Sequence, residues 1–216
     1  MPDAPTIVRL GDDALIVRFA NTISWDVGAR VRAAAARVRA LKIGSVVDVV
    51  PAYTTIAVYF DCAVVSFDTV AEAIAPAVNA SGSALSVEPA LIEIPVRYDG
   101  PDLVEVADRT GLTVADVIVR HSTRTYRAYM SGFVPGFAYL GDLDPLLEVA
   151  RRSVPRVRVP AGSVAIAAAQ TAVYPLETPG GWHLIGSTAL TMFDVGRDPP
   201  ALIRAGDSVR FVPVDA

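Results

Sequence analysis

From about Thr125 to its end this chain alternates short β-prone runs with glycine and proline, and that texture limits its fold more than any other feature. The runs are 126–130, 157–159, 163–169, 182–185, 189–193 and 208–212. Such short strands at near-regular spacing, with turn residues between them, predict a closed or nearly closed β-barrel. The first 80 residues read differently. Two short strands, 7–10 and 14–19, meet at Gly11-Asp12-Asp13, and Ser24 is placed to cap a helix running to about Leu41. That helix carries Val27, Val31, Ala34, Val38 and Leu41 on one face. A second strand pair, 45–50 and 55–60, flanks Pro51-Ala52-Tyr53, and Ser66 opens a second amphipathic helix to about Val78. The ββα-ββα order predicts a two-layer α+β module with its helices on one face of an antiparallel sheet.

Asn79-Ala80-Ser81-Gly82-Ser83 is small, polar and without apolar periodicity, so it reads as a linker. The expected division is an α+β domain over 1–80 and a β-barrel domain over 84–216. The second begins with a strand at 91–98 and two short helices at 102–109 and 113–121, the latter capped by Thr113.

A length of 216 residues suits one large domain or two small ones. The net charge of -4 is scattered, which argues against a nucleic-acid footprint. Lys42 is the only lysine, ends a helical segment, and follows no glycine-rich phosphate loop, so ATP chemistry would have to come from another chain. Cys62 is the only cysteine, which excludes an intramolecular disulfide and fits a reducing cytoplasmic setting. No signal peptide or membrane-spanning run is visible, and a soluble protein is expected.

Three segments carry candidate chemistry. Residues 131–141 hold Phe133, Pro135, Gly136, Phe137 and Tyr139 in a shaped loop whose aromatics either line a pocket or plug a barrel end. Arg158 precedes Pro160 and Gly162; it reads either as a clamp for a carboxylate or as an ordinary exposed strand arginine. In 170–183, Gln170, Thr171 and Tyr174 offer donors and acceptors. In the same segment Pro179-Gly180-Gly181 gives a bare backbone turn suited to an amide carbonyl or oxyanion, followed by Trp182. The turn's own geometry is the plainer account of the two glycines. His121 sits near a helix end, where the dipole favours positive charge, and His183 lies in a strand where it can face solvent. No cluster has metal-ligand spacing, so no metal site is expected, and no serine-hydrolase elbow is present.

Together, "GFVPGFAYLGDLDP", "PRVRVPAGSVAIAAAQTAVYPLETPGGWHLIGST" and the closing "LIRAGDSVRFVPV" resemble the KipI/PxpB family of B-type 5-oxoprolinase subunits, also called allophanate hydrolase subunit 1. The likeness extends more loosely to "DALIVRF" and "VVDVVPAYTTIAVYFD". It implies a ferredoxin-like N-terminal module, a cyclophilin-like barrel, and a role as a subunit of an ATP-dependent enzyme that opens 5-oxoproline to glutamate. ATP would be used by the complex and bound largely outside this chain. The implied partners are a C-type subunit (an allophanate hydrolase subunit 2 homologue) and a third, A-type subunit. Carried over by position, Arg158, Gln170 and Tyr174 would be catalytic. Phe133, Pro135, Gly136, Thr171, Pro179, Gly180, Gly181 and Trp182 would bind a small amide substrate. Ala168 and Ala172 stand where the resemblance places glycines. Other readings are an allophanate- or urea-processing subunit, a KipI-like inhibitor of a sensor histidine kinase and, on fold analogy alone, a prolyl isomerase.

Overall fold

The structure, a computed structural model, describes residues 4–80 and 89–215. It divides into two compact units, Met1–Glu88 and Pro89–Ala216. Of the expected linker, Asn79 ends a helix and Ala80 caps it, while Ser81, Gly82 and Ser83 lie outside the described residues.

The first unit pairs β1 (Thr6–Leu10), β2 (Ala14–Arg18), β3 (Val46–Pro51) and β4 (Thr55–Phe60) in the order β1-β2-β4-β3, antiparallel throughout. Helices α1 (Trp25–Ala40) and α2 (Phe67–Asn79) cover one face. Both start where a serine hydroxyl accepts a first-turn N–H: Ser24 from Val27 and Ser66 from Thr69, each at 3.2 Å. Val31, Ala34, Ala35 and Val38 of α1 pack on Leu15, Val17, Ile56 and Val58. Each large aliphatic so buried contributes about 1.5–3 kcal/mol.

The ferredoxin-like order expected from the resemblance is βαββαβ, whereas the chain order here is ββαββα. The edge strand beside β2 comes from the N-terminal hairpin and not from a segment after α2. A tight turn with Gly11 at φ +66° closes that hairpin, so the pairing is local and its loop-closure cost small.

The second unit is built on a seven-stranded sheet. Its strands are β5 (Leu91–Val96), β6 (Thr125–Ser131), β7 (Ala138–Gly141), β9 (Ser163–Ala167), β10 (Gln170–Val173), β12 (His183–Ser187) and β13 (Ser208–Pro213), ordered β12-β9-β10-β7-β6-β13-β5. Just past β5, Arg97 exchanges backbone bonds of 2.9 and 2.8 Å with Ser187 at the end of β12. That bridge joins the two edges, so the sheet is a nearly closed barrel, as expected. Helices α3 (Leu103–Thr110) and α4 (Val114–Ser122) follow β5; Thr113 and Asp116 form a reciprocal capping box on α4. A two-stranded ribbon, β8 (Arg156–Val159) with β11 (Thr178–Gly180), stands apart from the sheet.

Alternation along the strands gives the barrel wall two buried faces. Val164 and Ile166 of β9, Val173 of β10 and Ile185 of β12 point into the barrel core. Ala165 and Ala167, Ala172 and Leu184 point to the other face, where they pack with Phe137, Val159, Tyr174 and Trp182. The segment 189–193 is not a strand. Among the described residues its ladder contact is a single bridge from Phe193 to Ala201, and the Arg197 guanidinium donates to the carbonyls of Thr191, Met192, Pro199 and Pro200. Arg197 occupies the Thr191 carbonyl and shares that of Met192 with the Leu202 N–H at 2.8 Å.

Candidate functional site

The aromatics of the 131–141 segment divide between a buried Phe137, a half-buried Tyr139 and an exposed Phe133. β6 and β7 carry both ends of that segment into the sheet, leaving a short loop in which Phe133 adopts φ +71° and Gly136 φ +83°. A side chain at Gly136 would meet Phe193 Cβ at 2.6 Å, so the loop's packing requires glycine there. Phe137, Tyr174 and Trp182 are buried and meet edge-to-face, with centroids 5.4 Å (Phe137–Tyr174) and 5.8 Å (Phe137–Trp182) apart. Phe133 lies at the rim, 57% exposed, 5.4 Å from the Phe137 ring.

Tyr174 joins this layer to the Pro179-Gly180-Gly181 turn. A Cβ on Gly180 would fall 2.3 Å from the Tyr174 hydroxyl oxygen, so the glycine exists to let ribbon backbone lie against the phenol. Burial pushes the phenol pKa up, outweighing the Trp182 N–H bond and the charges of Arg151 and Arg156. Tyr174 is therefore a proton donor at neutral pH. Gly181 accepts the Arg152 N–H through its carbonyl at 2.8 Å.

Arg158 stands on β8, one residue from Val159, which pairs with Thr178, so it faces the Pro179 stretch of the ribbon. Its side chain is 79% exposed, with Glu177 at 3.5 Å. Such an exposed pair is worth little, about 0–1 kcal/mol, so the guanidinium can change partners easily. Gln170 and Thr171 lie elsewhere. Gln170 begins β10, four residues or about 13 Å of extended chain from Tyr174. Thr171 is fully buried on the core side of that strand, and its hydroxyl is committed to His121 Nε2 at 2.9 Å and the Ala165 carbonyl at 3.0 Å. Phe133, Tyr174, Gly180 and Trp182 thus come together, Arg158 sits beside them on the ribbon, and Thr171 is turned away.

Both histidines differ from expectation. His121 is completely buried; Tyr98 donates to its Nδ1 at 2.7 Å, and its Nε2–H donates to Thr171, whose own proton goes to Ala165. Burial lowers its pKa to about 3, so it is neutral and the helix dipole has no charge to act on. His183 does not face solvent: it is buried, with Nε2 3.0 Å from the Ala150 carbonyl.

Sequence reasoning missed the charged floor next to Arg158. Asp102, whose side chain is 3% exposed, accepts from Arg152 at 3.0 Å and Arg156 at 2.6 Å through one oxygen, and from the Leu184 N–H at 2.7 Å through the other. Burial alone would raise its pKa, but Arg156, the Leu184 amide and the two charges overcome that and hold it below the usual carboxylate range. Arg152 also bonds Glu105 at 2.9 Å, and Glu105 pairs with Arg109 at 2.7 Å. Asp102, Glu105 and His183 offer ligand atoms within 4.8 Å of one another, yet the Arg152 guanidinium already bridges both carboxylates. Arg152 Nε, Arg156 Nη1 and His183 Nδ1 are buried there without a hydrogen-bond partner. The only sequence hint was Asp102 at a helix start, because its partners are 50 to 82 residues away.

A cleft of about 300 Å³ opens above this floor, between the 99–101 turn, β8 and the end of β12. Arg156 and Arg158 form one wall and Asp99 and Ser187 the other.

Residues 5–203 match the family described as carboxyltransferase domain, subdomain C and D. The B-type subunit of 5-oxoprolinase from Bacillus subtilis (strain 168) is 39% identical over 221 residues, covering 96% of this chain and 92% of that protein. The protein of the same name from Escherichia coli O157:H7 is 55% identical over 133 residues, 60% of this chain and 61% of its own length. Among solved structures, TTHA0988 superposes with a TM-score of 0.83 at 37% identity over 94% of this chain, which spans only 40% of that longer polypeptide. The Kluyveromyces lactis urea amidolyase, at 17% identity and a TM-score of 0.79 over 97% of this chain and 15% of its own, shares the fold. By the match over nearly its whole length, this chain belongs to the carboxyltransferase subdomain C and D family, among the relatives named as B-type 5-oxoprolinase subunits.

Proposed function

We propose that this chain is a non-autonomous subunit of an ATP-dependent enzyme that opens a small amide or lactam, in the manner of a 5-oxoprolinase. The observation that carries the reading is the 39% identity to a B-type 5-oxoprolinase subunit over 96% of the chain. Its surface agrees with that role. Arg158 is an exposed, weakly paired guanidinium at a cleft suited to a substrate carboxylate. The Gly180-Gly181 turn lies on the same ribbon as Arg158, packed against the buried, protonated Tyr174. On this reading ATP, bound largely by other subunits, supplies a phosphoryl group that makes the lactam carbonyl a better electrophile. A C-type subunit homologous to allophanate hydrolase subunit 2 and a third, A-type subunit complete the assembly. The same reading makes the barrel cyclophilin-like and relates the first unit to the ferredoxin-like modules, with its edge strand taken from the N-terminal side.

Co-expression with the neighbouring subunits, followed by measurement of glutamate released from 5-oxoproline with and without ATP, decides the matter. ATP-dependent turnover that disappears when this chain is omitted is the expected result. An intact assembly with no turnover on 5-oxoproline would overturn the substrate.

A further inference from the structure

We propose that the cleft between the 99–101 turn and β8 is a binding site, within this chain alone, for a small carboxylate that also carries an amide or amine N–H. The inference deepens the functional reading above and rests on it for the choice of probe. Three features fix the ligand chemistry.

The first is charge. Below the cleft, three guanidiniums (Arg109, Arg152 and Arg156) share two carboxylates (Asp102 and Glu105), which leaves one positive charge in excess. Among the described residues Arg158 is balanced only by exposed Glu177 at 3.5 Å, so the excess stays at one positive charge while this guanidinium can exchange its partner for a ligand. Asp99, the acid in the opposite wall, has both oxygens occupied, by Ser187 and by Arg97. An anion is therefore the favoured guest.

The second feature is preorganisation. Arg156 is held at 2.6 Å by buried Asp102, which the Leu184 N–H fixes in turn. Its guanidinium is set in place before any ligand arrives, whereas Arg158 can swing to close over one. Arg156 has Nη2 committed to Asp102 and Nη1 buried, so it lends fixed positive charge to the cleft floor while the movable Arg158 supplies the hydrogen bonds to a ligand carboxylate.

The third is the direction of the hydroxyl protons. Ser163 donates to the Pro160 carbonyl at 2.8 Å, and Ser187 donates to Asp99 at 2.9 Å. Both lie in the cleft wall with their protons already used, so they present lone pairs and accept N–H groups. Phosphate at neutral pH carries no N–H and at most one or two P–OH donors among acceptor oxygens, so it gains less from them than an N–H-bearing carboxylate. At about 300 Å³ the cleft is at the small end of the range for small-molecule sites.

The experiment is ligand-observed NMR or calorimetry on the isolated full chain at low salt, with four probes: 5-oxoproline, its N-methyl derivative, 2-pyrrolidinone and inorganic phosphate. Saturable binding of 5-oxoproline is expected, with 2-pyrrolidinone and phosphate at least about tenfold weaker. N-methylation should weaken binding severalfold in the parent chain, and Ser187→Ala should abolish that discrimination. Arg158→Ala, on a side chain that supports no packing, should weaken 5-oxoproline about fivefold to tenfold. No binding at tens of millimolar, equal binding by the Arg158→Ala chain, or equal binding of the N-methyl compound or phosphate would each overturn the inference. The two proposals fail separately. If the complex turns over 5-oxoproline while Arg158→Ala and Ser187→Ala leave kcat/KM intact, the cleft assignment falls and the enzyme assignment stands. Cleft-dependent binding without turnover by the complex gives the reverse.

Discussion

Lowering the pH from 7 to 5 should destabilise the barrel unit by about 2 kcal/mol through His121 alone. The imidazole is enclosed by Tyr98, Tyr126, Phe211 and Thr171, with its Nδ1 accepting and its Nε2–H donating, so the neutral ring is fully satisfied and a second ring proton would have no acceptor. Its folded pKa of about 3 lies below the 6.5 of the free side chain. As pH falls below 6.5 the unfolded chain takes up a proton that the folded chain refuses, so stability drops by nearly 1.4 kcal/mol per pH unit until the folded pKa is reached. Integrated from pH 7 to pH 5, this is about 2 kcal/mol. Asp99, Asp102 and Asp144 are held below the usual carboxylate range; their contribution is lost only as pH falls through lower values, so this window isolates the histidine. The chain has two tryptophans, Trp25 in the first unit and Trp182 in the second, so a Trp25→Phe background makes fluorescence a reporter of the barrel unit. Urea titrations at pH 7, 6 and 5 should show the slope in that chain and a nearly flat response after His121→Gln. Equal slopes in the two chains, or His121 ring signals titrating near pH 6.5 in the folded protein, would refute the argument.

Further outcomes follow from other contacts. Ala168 holds φ +47° in the β9–β10 turn, so Ala168→Gly should stabilise by about 0.5–1 kcal/mol in the same urea assay, as relief of left-handed strain exceeds the entropy of glycine. Ala172→Gly should cost about 1 kcal/mol, because that methyl packs in the outer-face cluster on extended backbone that needs no glycine. Asp102→Asn leaves two partly buried guanidiniums undercompensated and should lower stability by about 3 kcal/mol. Gly180→Ala drives a methyl into the Tyr174 hydroxyl and should cost about 1–3 kcal/mol, with a shift in Trp182 emission as the ribbon is displaced.

The parts of this fold that announce themselves in sequence are those whose cause is local. Ser24, Ser66 and Thr113 cap the helices they were expected to cap, because a hydroxyl reaches an N–H only three residues on. The 208–212 strand and the first half of 126–130 alternate because their two faces differ. β7 and β10 escape a sequence reading because each is only four residues long and adjoins an irregular turn, and β11 is only three residues with two of them Pro and Gly. The 189–193 run is β-prone by composition alone; Arg197 occupies the Thr191 carbonyl and shares that of Met192, and no propensity scale records that.

The candidate site divides along the same line. Arg158, Tyr174 and the two glycines could be read directly, since each is unusual for its own position. Arg156 could not be told from Arg158 by eye: the two alternate on one strand, and both are arginines on a Gly/Pro-rich stretch. What separates them is Asp102, more than fifty residues earlier, whose buried carboxylate fixes one guanidinium and not the other. Thr171 fails as a ligand group for a matching reason, since the core histidine that claims its hydroxyl is fifty residues away. A side chain's chemistry is written in the sequence, but its availability depends on a partner that only the folded barrel brings within reach. The sequence motif therefore marks the neighbourhood of the site, and the hydrogen-bond network decides which of its members remain free to meet a ligand.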